Sequence, residues 1–390
     1  MIRLLRNAEV YAPEPRGLQD LVIAGGRIVW LGDGLPILPA ALEPEETDLG
    51  GRRLVPGFID GHAHLTGGGG EAGPHTRVPP LQLSTLTRAG VTTAVGVLGT
   101  DDVTRTTAEL VAAVHGLRQL GLTAFCHTGG YHLPPRTLTG SVRGDIALVD
   151  AIIGVGEIAI SDHRSSQPTL DELLRLASEA HVGGLMSGKG GILHLHVGDG
   201  PRGLDLVREA LDRSEIPARV FNPTHVNRRA ALFEESLELA DRGVTIDLTA
   251  FPVGEGEDAR DAADALVRYW DAGLPPERIT VSSDGGGCLP SFDADGQVIR
   301  FDVGSPAALG DTLSRLLAKG HALEQALPPF TANPARLLRL AGKGRIAPGM
   351  NADLLVLNPK GGIDDVMADG RWHVRQGRVV VTGPFEGAGA

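Results

Sequence analysis

The chain carries one tight histidine pair and a series of histidines and carboxylates placed where they could grip metal. His62-Ala63-His64 follows the apolar run of "PGFID". On a strand, residues i and i+2 face the same side, so both imidazoles can reach one cation. The other candidates sit in or end apolar runs. Glu157 lies in "GVGEIAISDH", His196 ends "ILHLHVGD", His225 ends "VFNPTHVNR" and Asp284 ends "ITVSSDGGG". A lone His-x-His also occurs as a packed pair, and Glu157 alone could be an edge residue facing solvent. But a carboxylate within an apolar strand is costly to bury unpaired, and so many strand ends bearing only histidine or carboxylate do not read as packing. His194 shares a strand face with His196 and competes with it. His196 is preferred because it abuts the Gly-Asp turn. His163, in "SDHR", reads as packing or as support for a ligand.

Imidazoles and carboxylates without paired thiolates suit Zn²⁺ best, with Mn²⁺, Co²⁺ or Fe²⁺ as alternatives. His62, His64, Glu157, His196, His225 and Asp284 are too many ligands for one zinc. Two ions about 3.5–4 Å apart, sharing a hydroxide, would use them. Such a centre lowers the pKa of its water towards ~7 and makes a nucleophile at neutral pH. Asp284, on the last strand, can take the water's proton and return it to a leaving amine.

These residues need a scaffold that brings many strand ends together. From about residue 57 to 342, apolar runs alternate with helical patterns such as "TLDELLRLASEAHV" and "RRAALFEESLELADRG". The strand candidates are "GFIDGHAHL", "GVTTAVGVLG", "GLTAFCHTGGYH", "EIAISDH", "GILHLHVG", "ARVFNPTHV", "VTIDLTA" and "RITVSSDGGG". This rhythm predicts a parallel sheet, and eight strands are the number that closes a (β/α)₈ TIM barrel, whose chemistry lies at the carboxyl ends of the strands. Both termini have β texture, with a hairpin signal in "LVIAGGRIVWLG". The expected organisation is an α/β barrel over 57–342 and a small β-sandwich formed by 1–56 and 343–390.

Bulk properties exclude other classes. In 390 residues, 42% apolar and 22% charged content is that of an ordinary globular protein. The net charge of −12 and the lack of a Lys/Arg run argue against nucleic acid and against an anionic membrane surface. Cys126 and Cys288 stand far apart, which favours a reducing cytoplasm over a disulfide framework. The opening "MIRLLRNAEVYAPE" lacks the apolar core of a signal peptide, and no run is long enough to span a bilayer.

Several segments carry a resemblance. "PGFIDGHAHLTGGGGEAGP", "VTTAVGVLGTD", "GGYHLPPRTLTGSV", "AISDHRSSQP", "HVGD", "PTHVNR", "SSDGGG" and "IAPGMNADLLVL" are similar to the isoaspartyl (β-aspartyl) dipeptidases of the amidohydrolase superfamily, over nearly the whole chain. "HLTGGGGEAGP" and "TGGYHLPPRTLTGS" belong to that subfamily; the His-x-His and the terminal β segments are shared superfamily-wide. The resemblance implies hydrolysis of the amide between an aspartate side-chain carbonyl and the next residue, in a homo-oligomer acting on small dipeptides. It implies that Glu71 holds the substrate α-amino group and that Tyr131 donates to the developing oxyanion. It further implies that Arg164 and Arg228 pair with substrate carboxylates, and that Gly69 and Thr100 add contacts. Read without the resemblance, Glu71 could be solvated, Tyr131 packed and the two arginines on the surface.

Two positions depart from the family pattern. Glu157 stands where a lysine is carboxylated to bridge the metals. Glutamate offers the same two oxygens on a shorter arm, and Gly154 and Gly156 could let the strand bulge inwards to compensate. The expectation is that Glu157 bridges the metals directly, with a single metal as the fallback. Cys288 stands where the pattern has serine near the substrate, and a thiol is the weaker hydrogen-bond partner. Competing readings are an amidohydrolase of cyclic amides or N-acyl amino acids, and a catalytically silent barrel serving as a binding or assembly subunit. A cyclic amide has no free amino group to recruit Glu71, and a silent barrel would not need the complete ligand and base set.

Overall fold

The computed structural model describes residues 1–254, 256–289, 291–292, 295 and 297–387. Eight parallel strands position the site: β1 (Phe58–Ala63), β2 (Val91–Gly96), β3 (Thr123–Thr128), β4 (Ile152–Ile160), β5 (Ile192–Val197), β6 (Phe221–Thr224), β7 (Ile246–Thr249) and β8 (Ile279–Ser282). Seven of them fall within the runs read from the sequence, while β4 starts five residues before its run, at Ile152 rather than Glu157. β1 to β6 form one sheet in chain order, and β7 pairs with β8. Every residue of β2, β4 and β5 is buried. Burial on both faces is why these strands read as continuous apolar runs rather than as alternation.

The two sheets meet at both seams. β8 reaches β1 through Asp284 N–H to the His62 carbonyl at 3.1 Å and His64 N–H to the Gly285 carbonyl at 2.8 Å. β6 and β7 are joined by side chains: Asn222 Nδ2 donates to the Thr245 carbonyl at 2.7 Å and Thr224 Oγ1 to Asp247 at 2.7 Å. The fold is thus of the TIM-barrel type. Between the strands lie helices such as Thr107–Gln119, capped by Thr106, and Leu170–Ser187. The latter starts with a Thr169/Glu172 capping box and ends at left-handed Gly188.

Both chain ends share one nine-stranded sheet. Strand Leu354–Leu357 lies antiparallel to Arg53–Pro56, which itself pairs with Ile2–Tyr11. The Gly25-Gly26 turn joins Pro15–Ala24 to Arg27–Gly32 as the hairpin signal predicts. Chain partners change from this sheet to the parallel one between Pro56 and Phe58. Among the described residues no helix is long and apolar enough to cross a membrane.

Candidate metal centre

Glu157 sits where β4 departs from regularity. Val155 pairs with Leu193 and Ile158 with Leu195, so Gly156 and Glu157 together oppose His194. This is a β-bulge, and it turns the Glu157 side chain into the barrel. A Cβ at Gly156 would lie 2.5 Å from the His194 carbonyl oxygen, so only glycine fits there.

The two Glu157 oxygens face different histidines. Oε1 lies 3.6 Å from His62 Nε2 and 3.4 Å from His64 Nε2. Oε2 lies 3.1 Å from His196 Nδ1 and 3.4 Å from His225 Nε2. Asp284 Oδ1 closes the first side at 3.4 Å from His62 Nε2 and 3.1 Å from His64 Nε2. Among the described residues two buried groups have ligand atoms all within 4.8 Å of one another: His62, His64 and Asp284, and His62, Glu157 and His225. His196 belongs to neither, although it touches Glu157. His225 and Asp284 both take left-handed backbone, at φ 61° and 51°, a conformation that non-glycine residues hold mainly at functional sites.

Hydrogen bonds beneath the ligands settle which ring nitrogen is free. The Asn222 amide donates to the Thr245 carbonyl, so its own oxygen faces His194 Nδ1 at 2.7 Å and accepts from it. His194 Nε2 then accepts from His62 Nδ1 at 2.8 Å. This leaves the lone pair of His62 on Nε2, buried, with no hydrogen-bond partner, beside two carboxylate oxygens. His225 Nδ1 is likewise engaged, at 2.6 Å from Thr249 Oγ1. His194 is therefore a support of His62 rather than a rival of His196. The His163 side chain is 55% exposed and lies against Asp162, which itself contacts His196.

The electrostatics ask for a cation. Burial works against a charged His62, yet the Glu157 charge and Asp284 push its pKa up to about 9, so that in the absence of a cation a proton takes the Nε2 lone pair that a metal would use. Burial would raise Asp284 and Glu157, but the facing histidines hold both well below the usual carboxylate range. Lone pairs converging with two ionised carboxylates in a buried space fit a divalent metal, as does a donor set of imidazole and carboxylate.

Above the cluster opens a cleft of about 590 Å³, lined by His64, Glu157, His196, His225 and Asp284 together with Gly69, Glu71, Thr100, Tyr131, Arg164, Arg228 and Cys288. Every substrate-side residue singled out in the sequence thus reaches one space. Glu71 is 10% exposed, not solvated. Its Oε1 accepts from Thr100 Oγ1 at 3.2 Å and lies 3.6 Å from Arg164, and its buried Oε2 has no hydrogen-bond partner among the described residues. The Tyr131 hydroxyl is 2.8 Å from His196 Nδ1, and burial, then the Glu157 charge, raise its pKa well above 10, so it stays a donor. Arg228 donates to the Val197 carbonyl at 2.8 Å and pairs with Asp199 at 3.1 Å. Cys288 is pushed up to about 12, first by burial and then by the Glu71 charge, so the thiol is neutral.

Sequence reasoning missed Asp162. It takes Arg164 by both oxygens, at 3.0 and 2.7 Å, and lies 3.0 Å from His196 Nε2. The one available signal was its position two residues after β4, beside Arg164.

The amidohydrolase family model matches residues 53–373. The chain belongs to the amidohydrolase family. It is similar over its length to the β-aspartyl dipeptidase of Fervidobacterium islandicum AW-1, solved in complex with a β-Asp-Leu dipeptide. The identity is 43% and the TM-score 0.91, covering 99% of this chain and 100% of that one. A second structure of the Fervidobacterium β-aspartyl dipeptidase gives 42% identity and a TM-score of 0.89, with 97% and 98% covered. The imidazolonepropionase of Ruegeria sp. is 26% identical, over 90% of this chain and 91% of its own.

Proposed function

We propose that the protein is a metal-dependent hydrolase of β-aspartyl dipeptides. The observation that carries this reading is the buried, unpartnered Glu71 Oε2 in the same cleft as two arginines and the ligand cluster. A β-aspartyl dipeptide offers one ammonium and two carboxylates, which Glu71, Arg164 and Arg228 match in number and sign. The full-length likeness to a β-aspartyl dipeptidase supports it.

Zn²⁺ is the proposed metal, two per chain; His62, His64, Glu157, His196, His225 and Asp284 would hold them, and the two Glu157 oxygens face the histidines of both sides. When bound, such ions supply Lewis acidity and acidify water to a pKa near ~7. The chain's own residues do the rest. Glu71 orients the α-amino group, with Gly69 and Thr100 beside it. The Tyr131 hydroxyl donates to the carbonyl oxygen as charge develops there. Asp284, held as a carboxylate, takes the proton of the attacking water and returns it to the leaving amine, whose departure breaks the amide. His196 serves through Nδ1 while Asp162 engages Nε2.

The same reading treats 57–342 as a closed (β/α)₈ barrel and 1–56 with 343–390 as a β-sandwich. Apolar residues from both ends, among them Leu5, Ile23, Leu54, Leu354 and Trp372, form one buried cluster in support of the latter. It also makes the protein a cytoplasmic homo-oligomer, in keeping with two free cysteines. The test is hydrolysis of β-Asp-Leu against α-Asp-Leu by the Zn²⁺-supplied enzyme. Cleavage of the β isomer alone is expected. Cleavage of neither, with metal bound, would replace this reading with a cyclic-amide or N-acyl amino acid hydrolase.

A further inference from the structure

Glu71 is carried on a loop that needs an external brace. The Gly67–Gly70 run has positive φ at Gly67, Gly69 and Gly70, and chains of this composition are conformationally loose. The loop leaves at Thr66, folds over and returns at Val78, whose N–H donates to the Gly68 carbonyl at 2.9 Å. One side chain spans it. Arg105, 2% exposed, lies just before helix Thr107–Gln119. Its Nε donates to the Thr66 carbonyl at 3.2 Å, Nη1 to the Gly69 carbonyl at 3.2 Å and Nη2 to the Val78 carbonyl at 3.1 Å. The same Nη1 lies 3.1 Å from Asp101, the neighbour of Thr100, which holds Glu71 from the other side.

We infer that Arg105 is a positioning residue that sets selectivity for the substrate's free α-amino group, by clamping the start, middle and end of the Glu71 loop to the loop of Thr100. A planar fork with five donors can hold three carbonyls and a carboxylate at once, and a lysine ammonium cannot copy that geometry. The three carbonyls are backbone atoms, so the clamp acts on the loop's path rather than on the reacting atoms. It lies outside the ligand cluster, so loosening it leaves the metal side intact.

This inference rests on the proposed function, and its test separates the two. The metal-loaded wild type, Arg105→Lys and Arg105→Met are compared on β-Asp-Leu and on N-succinyl-leucine. The latter is the same skeleton with hydrogen in place of the amino group. Glu71→Gln sets the scale for full loss of amine recognition. In the wild type the amine-bearing substrate is expected to be strongly preferred. In both Arg105 variants kcat/KM for β-Asp-Leu is expected to fall about tenfold or more, mainly through KM, since a charge-assisted contact to the substrate is misplaced. N-succinyl-leucine turnover and metal content should stay unchanged. A parallel fall on both substrates, or an unchanged ratio, would overturn the inference. Should the Arg105 variants not fold, Asp101→Asn loosens the same guanidinium from its carboxylate, and a smaller shift of the same ratio is expected; an unchanged ratio there would also overturn it. A wild type that cleaves neither substrate would remove the functional reading, and this inference with it.

Discussion

The layer of residues one pleat below the ligands differs from the ligand layer in how its polar atoms are satisfied. Below, Asp247 accepts from three hydroxyls, Thr224, Thr280 and Ser282, at 2.6–2.7 Å. Asp60 accepts from the Ser283 backbone and hydroxyl, and His194 is engaged at both nitrogens. In the layer above, His62 Nε2, His64 Nδ1, Asp284 Oδ1 and Glu71 Oε2 are buried without hydrogen-bond partners among the described residues. Folding alone rewards the lower arrangement, because an unmet buried polar group costs about 1–3 kcal/mol. The upper arrangement makes sense only when something outside the chain completes it. His127 is also buried without partners, but it faces no carboxylate, and burial lowers its pKa to about 3 and so keeps it neutral.

The largest break in this comparison is Glu157→Ala. It removes the carboxylate shared by His62, His64, His196 and His225. Metal per chain, read by elemental analysis of desalted protein, should drop, and β-Asp-Leu hydrolysis should fall by on the order of 10⁴. Full metal retention in this variant would show that Glu157 is no ligand. Next comes Glu71→Gln on the substrate side. It should cost about 10²-fold in kcat/KM, the value of one charge-assisted contact, while metal content stays intact. Loss of metal in that variant would show that the substrate side and the metal side are one unit.

Smaller effects sharpen the lower layer. Asn222→Ala releases the His194–His62 relay, and its zinc affinity, measured by competition with a chelator, should weaken about 10–100-fold. Unchanged affinity would mean that the relay does not orient His62. Asp247→Asn leaves hydroxyls facing an amide that cannot accept from all of them. Denaturant unfolding should show a loss of about 1–3 kcal/mol, with kcat/KM of the loaded enzyme unchanged.

Much of this is legible in the sequence, and the limits have a physical pattern. His62, His64, His196, His225 and Asp284 end apolar strands, and local pattern suffices to find a polar residue where only apolar ones pack cheaply. The Glu157 bulge was foreshadowed by Gly154 and Gly156, since glycine within a strand marks irregular backbone. His196 is preferred to His194 in the sequence only for its place beside the Gly-Asp turn, because period two puts both on one face; the contact that gives His194 its own role is with Asn222, on another strand. For the same reason Asp162 offers only its place beside Arg164 as a signal, and Arg105 offers none. Their roles consist of contacts to His196 and to the carbonyls of Thr66, Gly69 and Val78, and nothing in their own neighbourhoods announces those partners.

The terminal sheet supplies a third environment and the smallest effect. His373, on strand Arg371–Arg375, is fully buried, and burial first, then the Arg371 charge, lower its pKa to about 4. His62, equally buried, goes the other way, to about 9, because two carboxylates face it. The consequence for stability follows from the sign. The unfolded chain binds a proton at His373 below about 6.5, while the folded one resists until about 4. Over that interval the unfolded state holds more protons, so stability rises with pH. The contribution is complete above about pH 6.5 and declines as pH falls towards 4. His373→Leu cannot titrate, so the wild-type-minus-variant unfolding free energy should shrink as pH is lowered from 6.5 to 4. Titrating metal ligands common to both proteins cancel in that difference. A gap that stays constant with pH would show that His373 is not held neutral, and that burial without a facing carboxylate does not by itself separate it from His62.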